Sequence, residues 1–347
     1  MQFYNNSHPY YCGIDLHARS LYVCILDDQG DTVLHKNISA KPKALLQLLE
    51  PYIGNIIVGV ECMHCWYWVA DWCEDNHIDF VLGHALYMKA IHGGKAKNDK
   101  IDSFKIAKLL KGGNFPVAYH YPRAMRATRD LMRRRMHIVR HGAQLKAHIK
   151  NTGSQYNHPP NALNLRYLGA REKMRNRFTD ASVQASIDLD LNLIDTFNKE
   201  LARVEWHIKK HAKQHKATDF HILKSISGVG DILALTILYE IGDIKRFESV
   251  QRFASYSRLI KCKAESAGKT YGTQGNKIGN AHLKWAFSEA AILYLRNNDC
   301  AKEYIKTLEK RMPKSKALSA LAHKLGRSIY YMLKNQAVFD EAKFMRA

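Results

Sequence analysis

Apolar and polar positions alternate in two different ways along the 347-residue chain, with short runs in the front third and long helical periods behind them. Residues 10–16 and 21–26 are short apolar runs, and the turn sequence Asp27-Asp28-Gln29-Gly30 separates them from a third run at 32–38. That pattern predicts three strands in hairpin succession. Residues 43–52 read as a helix with Leu45, Leu46, Leu48 and Leu49 on its buried side and Pro51 near its end. The continuous β-rich run at 56–61, ending in Glu61, is the kind found in strands covered on both faces. A helix over 66–76 and a fifth strand over 80–82 follow. From Asp99 onward, Ile101, Phe104, Ala107 and Leu110 recur at helical spacing and leave Asp99 and Asp102 on a different side.

Beyond Pro122 the pattern is helical. Residues 124–150 predict one long helix carrying Arg126, Arg129, Arg133, Arg134, Arg135, Arg140, Lys146 and Lys150 against a single acid, Asp130. Residues 151–180 are polar and ambiguous, broken by Pro159-Pro160. A second long helix follows, in which Ile187, Leu191, Ile194, Phe197, Leu201, Val204 and Ile208 alternate spacings of three and four, a coiled-coil seam. Such a seam serves packing within one chain or also builds a dimer. In the final third, Ile226-Ser227-Gly228-Val229-Gly230 lies between two short helices, as in a helix-hairpin-helix. Glycine-rich 261–279 predicts no regular element, and helices over 283–295 and 316–332 supply a core. Three hairpin strands followed by alternating helix and strand is the order of an RNase H-like fold. The expected class is therefore α/β plus α, with domains at 8–122, 123–216 and 217–341.

Charge narrows the partners. Lys and Arg number 53 against 32 Asp and Glu, a formal excess of +21, which favours polyanions such as nucleic acid. No apolar run approaches the roughly 18 residues of a spanning helix, so no membrane partner is expected. Residues 1–9 lack a basic region followed by an apolar one, which fits a cytosolic, cytoplasmic location. Seven cysteines, scattered among apolar residues, fit reduced thiols. Cys62-Met63-His64-Cys65 resembles half of a zinc knuckle, but no second pair completes four ligands, so buried thiols flanking Glu61 are the expectation.

The candidate chemistry centres on carboxylates. Asp99 and Asp102, three apart on a helix, put two like charges about 5–6 Å apart, an arrangement that a cation between them relieves. Hard oxygen ligands suit Mg²⁺ together with phosphates. Asp15 and Glu61, each at the end of a predicted strand, are placed to converge on the same point. Each acid alone also has an ordinary role available, Asp15 in a turn and Asp99 as a helix cap. For nucleic acid, the basic helix offers Arg133, Arg134, Arg135 and Lys146 to a phosphate backbone, and Gly228 and Gly230 offer backbone N–H groups at a helix N-terminus.

These motifs together resemble the DEDD transposases of the insertion-sequence-110 family, which includes the pilin-gene invertase. The resemblance rests on Gly13-Ile14-Asp15, Val60-Glu61, Lys97-Asn98-Asp99-Lys100-Ile101-Asp102 and Ile226-Ser227-Gly228-Val229-Gly230. It continues through Arg252-Phe253-Ala254, Glu265-Ser266-Ala267-Gly268, Asn276-Lys277-Ile278-Gly279 and Leu283-Lys284-Trp285-Ala286-Phe287. It implies a RuvC-like nuclease domain, a coiled coil and a C-terminal transposase domain. It also implies a Mg²⁺ site made by Asp15, Glu61, Asp99 and Asp102, and Ser266 as the nucleophile on DNA. The partners it implies are double-stranded donor and target DNA, a structured non-coding bridge RNA, and further copies of the chain as a dimer or tetramer. Many relatives have proline where Ser227 stands, and some place an arginine near Tyr271. Lys263, Lys269 and Lys277 are the cations left to steady a phosphate near Ser266. The alternatives are a metal-dependent nuclease or junction resolvase without a covalent intermediate, an invertase that uses no RNA, and a non-catalytic nucleic-acid binder. An actin-like ATPase lacks a second phosphate-binding glycine loop.

Overall fold

Seven strands form one mixed sheet in the first of two compact units, Met1–Arg123 and Ala124–Ala347. The computed structural model describes residues 2–91, 98–158, 164–165, 167–212, 216–274, 278–296 and 298–346. The strands are β1 (Phe3–Tyr4), β2 (Tyr10–Leu16), β3 (Ser20–Asp27), β4 (Thr32–Ser39), β5 (Ile56–Glu61), β6 (Asp79–Gly83) and β7 (Phe115–Ala118). Their order is β1-β7-β6-β5-β2-β3-β4. Strands β2, β3 and β4 are antiparallel neighbours, β5 lies parallel to β2, and β6 parallel to β5. The meander and the parallel strands follow the hydrophobic pattern. Strands β1 and β7 escape it because they are two and four residues long and β7 contains Pro116.

Four helices cover the sheet: α1 (Pro42–Leu49), α2 (Trp66–Asp75), α3 (Ala85–Ile91) and α4 (Asp99–Lys111). Side chains alternate across a strand, so Cys12, Ile14 and Val58 pack with Leu45, Leu49, Val69 and Trp72 on one face. Tyr11 and Ile57 pack with Ile106, Leu109 and Leu110 of α4 on the other. Gly13 and Gly59 belong to that second face and let α4 come close. A Cβ on Gly13 would stand 2.3 Å from both the Ala107 nitrogen and the Ser103 oxygen, and one on Gly59 would stand 2.6 Å from a Leu110 methyl. Asp15 and Glu61 are the next positions on this face, so the glycines that seat the helix also aim its first turn at the strand ends.

The second unit begins one residue into α5 (Arg123–Gln155) and continues with α6 (Leu168–Arg175) and α7 (Ala181–Ala212). Helices α5 and α7 run antiparallel, as Arg135 meets Glu205 while His148 meets Asp190. In the seam of α7, Ile187, Leu191, Ile194 and Ile208 are buried, and the first three share a cluster with Ile149 of α5 and Met174 of α6. Packing within the chain thus covers both ends of the seam. After it come α8 (Ala217–Lys224), α9 (Asp231–Ile241), α10 (Val250–Tyr256), α11 (Ala281–Arg296), α12 (Asp299–Glu309), α13 (Lys314–Asn335) and α14 (Glu341–Arg346). Their core holds Tyr239, Phe253, Phe287, Tyr294 and Tyr330, and α9 is buried from Leu233 to Ile241.

The glycine-rich segment departs from the sequence expectation. It holds a hairpin of β8 (Cys262–Ser266) and β9 (Lys269–Gln274), joined by Ala267 and Gly268, with a register shift between Ala264 and Glu265. Both turn residues have positive φ, 49° and 73°, the backbone hand that matches the twist of paired strands. Gly268 adopts it freely; Ala267 does so against steric resistance of roughly 1 kcal/mol.

Candidate active site

Asp15 and Asp99, on a central strand and at the start of a helix, come together as the sequence predicts, and His17 joins them. One ligand atom from each of the three lies within 4.8 Å of the other two. His17 Nε2 is 3.4 Å from Asp15 Oδ2 and 3.5 Å from Asp99 Oδ1. Neither aspartate is spent on an ordinary role. Asp15 sits within β2, paired with Tyr22, while Asp27 makes the turn by accepting from the N–H groups of Gln29, Gly30 and Asp31. The cap of α4 is Asn98, whose Oδ1 accepts from Ile101 N–H at 2.8 Å. Asp99 and Asp102 follow in the first turn, where the helix dipole favours acids.

Partial burial pushes the Asp15 carboxyl above its ordinary range. His17 pulls it down, and the charges of Asp99 and Asp102 push it up again. Crowded carboxylates of this kind favour a positive charge among them, so the donor set fits a divalent cation. Asp102 stands in reach of Lys105 at 3.7 Å, outside the tight group of three. Glu61 ends β5 opposite Gly83, half-buried on the face of Asp15, and is likewise outside that group. His17 was missed in the sequence although it lies two residues after Asp15, the spacing that puts neighbours on one side of an extended chain. His35 of β4 steadies the same turn: its Nε2 lies 3.0 Å from both the Lys100 carbonyl and the Ser103 hydroxyl.

The second unit carries Ser266, exposed at the hairpin tip, where it pairs across the turn with exposed Lys269. Lys277 lies outside the described residues, and so does Lys97. Gly228 has φ of 85°, and a Cβ there would stand 2.7 Å from the backbone of Leu293 and Tyr294 in α11, while Gly230 at the start of α9 faces open space. Two arginines expected to meet phosphate are held by carboxylates. Arg133 donates to both oxygens of Glu240 at 2.7 and 2.9 Å, and Arg135 donates twice to Glu205 Oε1. Arg129 and Asn280 also reach Glu240, which is 3% exposed. Burial acts to raise this carboxyl, but the two arginines and Asn280 outweigh it and hold it down to about 2. Arg134 and Lys146 remain exposed on α5.

The cysteine expectation changes too. Cys62 is exposed and Cys65 only half-buried, packed at the edge of the sheet's core with its thiol directed at the Leu16 carbonyl, because both follow the end of β5. Cys12, Cys24 and Cys73 are buried as expected. No helix among the described residues is long and apolar enough to cross a membrane.

Two family models match the chain. One, described as "Transposase" and covering the DEDD domain of IS110, matches residues 12–157. The other, described as "Transposase IS116/IS110/IS902 family", matches residues 220–306. The chain belongs to the IS110 family of DEDD transposases. The first match contains Asp15, Glu61, Asp99 and Asp102, and the second contains Ser266. Among curated relatives, a putative transposase y4qE of Sinorhizobium fredii is 25% identical over 206 residues, 58% of this chain and 49% of that protein. The transposase for insertion sequence element IS1111A of Coxiella burnetii is 27% identical over 139 residues, 39% of this chain and 38% of that protein. The chain therefore spans about half the length, or less, of these two transposases.

Proposed function

We propose that the chain is a DNA recombinase of an insertion sequence, which cuts and rejoins double-stranded donor and target DNA through Ser266. The carrying observation is the convergence of Asp15 and Asp99, freed from turn and cap duties, on the face of the sheet that Glu61 also occupies. The strand order supports a RuvC-like, RNase H-like assignment for the first unit. The antiparallel α5 and α7 support a coiled-coil arm, and α8, its glycine turn and α9 support a helix-hairpin-helix with Gly230 open to a phosphate. Asp15, Asp99, Glu61 and Asp102 would hold Mg²⁺ or a similar cation, which when bound offsets charge on a scissile phosphate.

Within this reading the Ser266 hydroxyl attacks phosphorus. A serine oxygen–phosphorus bond forms, the bond to one deoxyribose oxygen breaks, the serine proton passes to a base, and the leaving oxygen is protonated. The phosphoserine keeps one phosphoester bond for another, so resealing needs no ATP. Lys269, which pairs with Ser266 across the turn, would steady the phosphate. Exposed Arg134 and Lys146 of α5 carry the duplex backbone or a bridge RNA. Further copies of the chain complete the assembly as a dimer or tetramer, and the free cysteines suit the cytoplasm.

Ser266→Ala is expected to abolish a protein–DNA adduct on denaturing gels while DNA binding survives; an adduct of undiminished yield refutes the serine. Cleavage without any adduct from the wild-type protein supports instead a nuclease using water. Asp99→Asn and Asp102→Asn should each lower cleavage by at least about 100-fold with an unchanged circular dichroism spectrum. Full activity in either removes that carboxylate from the site.

A further inference from the structure

We propose that His17 is a nitrogen ligand of the cation site and turns its preference from Mg²⁺ toward Mn²⁺ and related transition ions. The inference rests on the acid cluster being a cation site. Neighbouring ligands around a cation bonded at about 2.1 Å are separated by roughly 3.0–3.5 Å, the edge of an octahedron or tetrahedron. His17 Nε2 lies 3.4 Å from Asp15 Oδ2 and 3.5 Å from Asp99 Oδ1, so both separations are those of adjacent ligands. They are longer than the roughly 2.7–3.2 Å of a well-made N–H···O bond, so the contact His17 makes with Asp15 is a long one that a cation between them can replace.

The backbone holds the ring in place. His17 follows β2 directly, and its N–H donates to the Ser20 carbonyl at 3.0 Å, closing the turn into β3. The side chain is 47% exposed, which leaves an entry route from solvent, while Asp15 forms the less exposed wall at 18%. The set is thus two carboxylate oxygens and one imidazole nitrogen. Mg²⁺ sheds water reluctantly and is satisfied by oxygens, whereas imidazole suits zinc, copper, iron and nickel; Mn²⁺, at the weak end of that series, still takes an imidazole more readily than Mg²⁺ does. With only oxygen donors the site would discriminate weakly; the nitrogen supplies the discrimination.

Calorimetric titration of the full chain with MnCl₂ and with MgCl₂, alongside pulsed electron paramagnetic resonance of the Mn²⁺ complex, tests this. The wild-type protein should bind Mn²⁺ more tightly than Mg²⁺ and show nitrogen modulation from a bound imidazole. His17→Gln should erase that modulation and weaken Mn²⁺ about 10-fold, with Mg²⁺ binding changed less than about twofold. Modulation that persists in His17→Gln overturns the proposal, as does equal loss for both ions. The wild-type spectrum alone decides whether any nitrogen is bound, should the variant fold poorly: Mn²⁺ bound with no nitrogen modulation refutes His17 but keeps the cation site. Binding of neither ion overturns the site itself and His17 with it.

Discussion

Glu240→Ala is expected to destabilise the second unit by about 3–5 kcal/mol, read as a shift in its urea midpoint. The carboxylate is 3% exposed and is met by Arg129, Arg133 and Asn280. Removing it takes this carboxylate away from largely buried Arg129 and half-buried Arg133, which costs more than the pair contributes. Glu240→Gln keeps the shape and one acceptor, so it should lose less. The same group makes stability depend on pH. Its carboxyl is held down to about 2 in the folded protein, against about 4.3 in an unfolded chain. The stabilisation is therefore complete above about pH 4.3 and fades as pH falls toward 2. It amounts to about 3 kcal/mol, and Glu240→Gln should flatten that part of the stability profile.

Gly13→Ala should be the most damaging single methyl group in the first unit. The added carbon would lie 2.3 Å from two backbone atoms of α4, which cannot swing aside as a side chain can. Overpacking of this kind costs about 1–3 kcal/mol, and relief requires α4 to move off the sheet, carrying Asp99 and Asp102 away from Asp15. Thermal denaturation should report the first effect and loss of Mn²⁺ binding the second. An alanine variant of wild-type stability and cation affinity would show that the helix seats without the glycine.

The acids of the first unit were legible because each lies where a local pattern ends, Glu61 after a continuous β-run and Asp99 before a helical period. His17 carried no such boundary signal, since an Asp and a His two apart matter only once the chain is known to be extended there. Arg133 and Arg135 read as charge available to phosphate because their partners, Glu240 and Glu205, lie far away in sequence. A basic helix read alone cannot reveal which of its charges are already matched. The hairpin was hidden for a different reason. Gly268 is one of several glycines in the segment and did not stand out as its turn, and Ala267 in a left-handed conformation has no signature in the residue itself.

That hairpin has a consequence for how the protein can change. Residues 265–272 are all exposed, and among the described residues β8 and β9 pair only with each other, so the tip adds little to the core, as expected of an isolated pair. Amide hydrogens there should exchange long before those of α9. Substitutions and altered turn lengths at the tip are therefore separable from folding, and any constraint on the segment bearing Ser266 comes from what it meets rather than from the core.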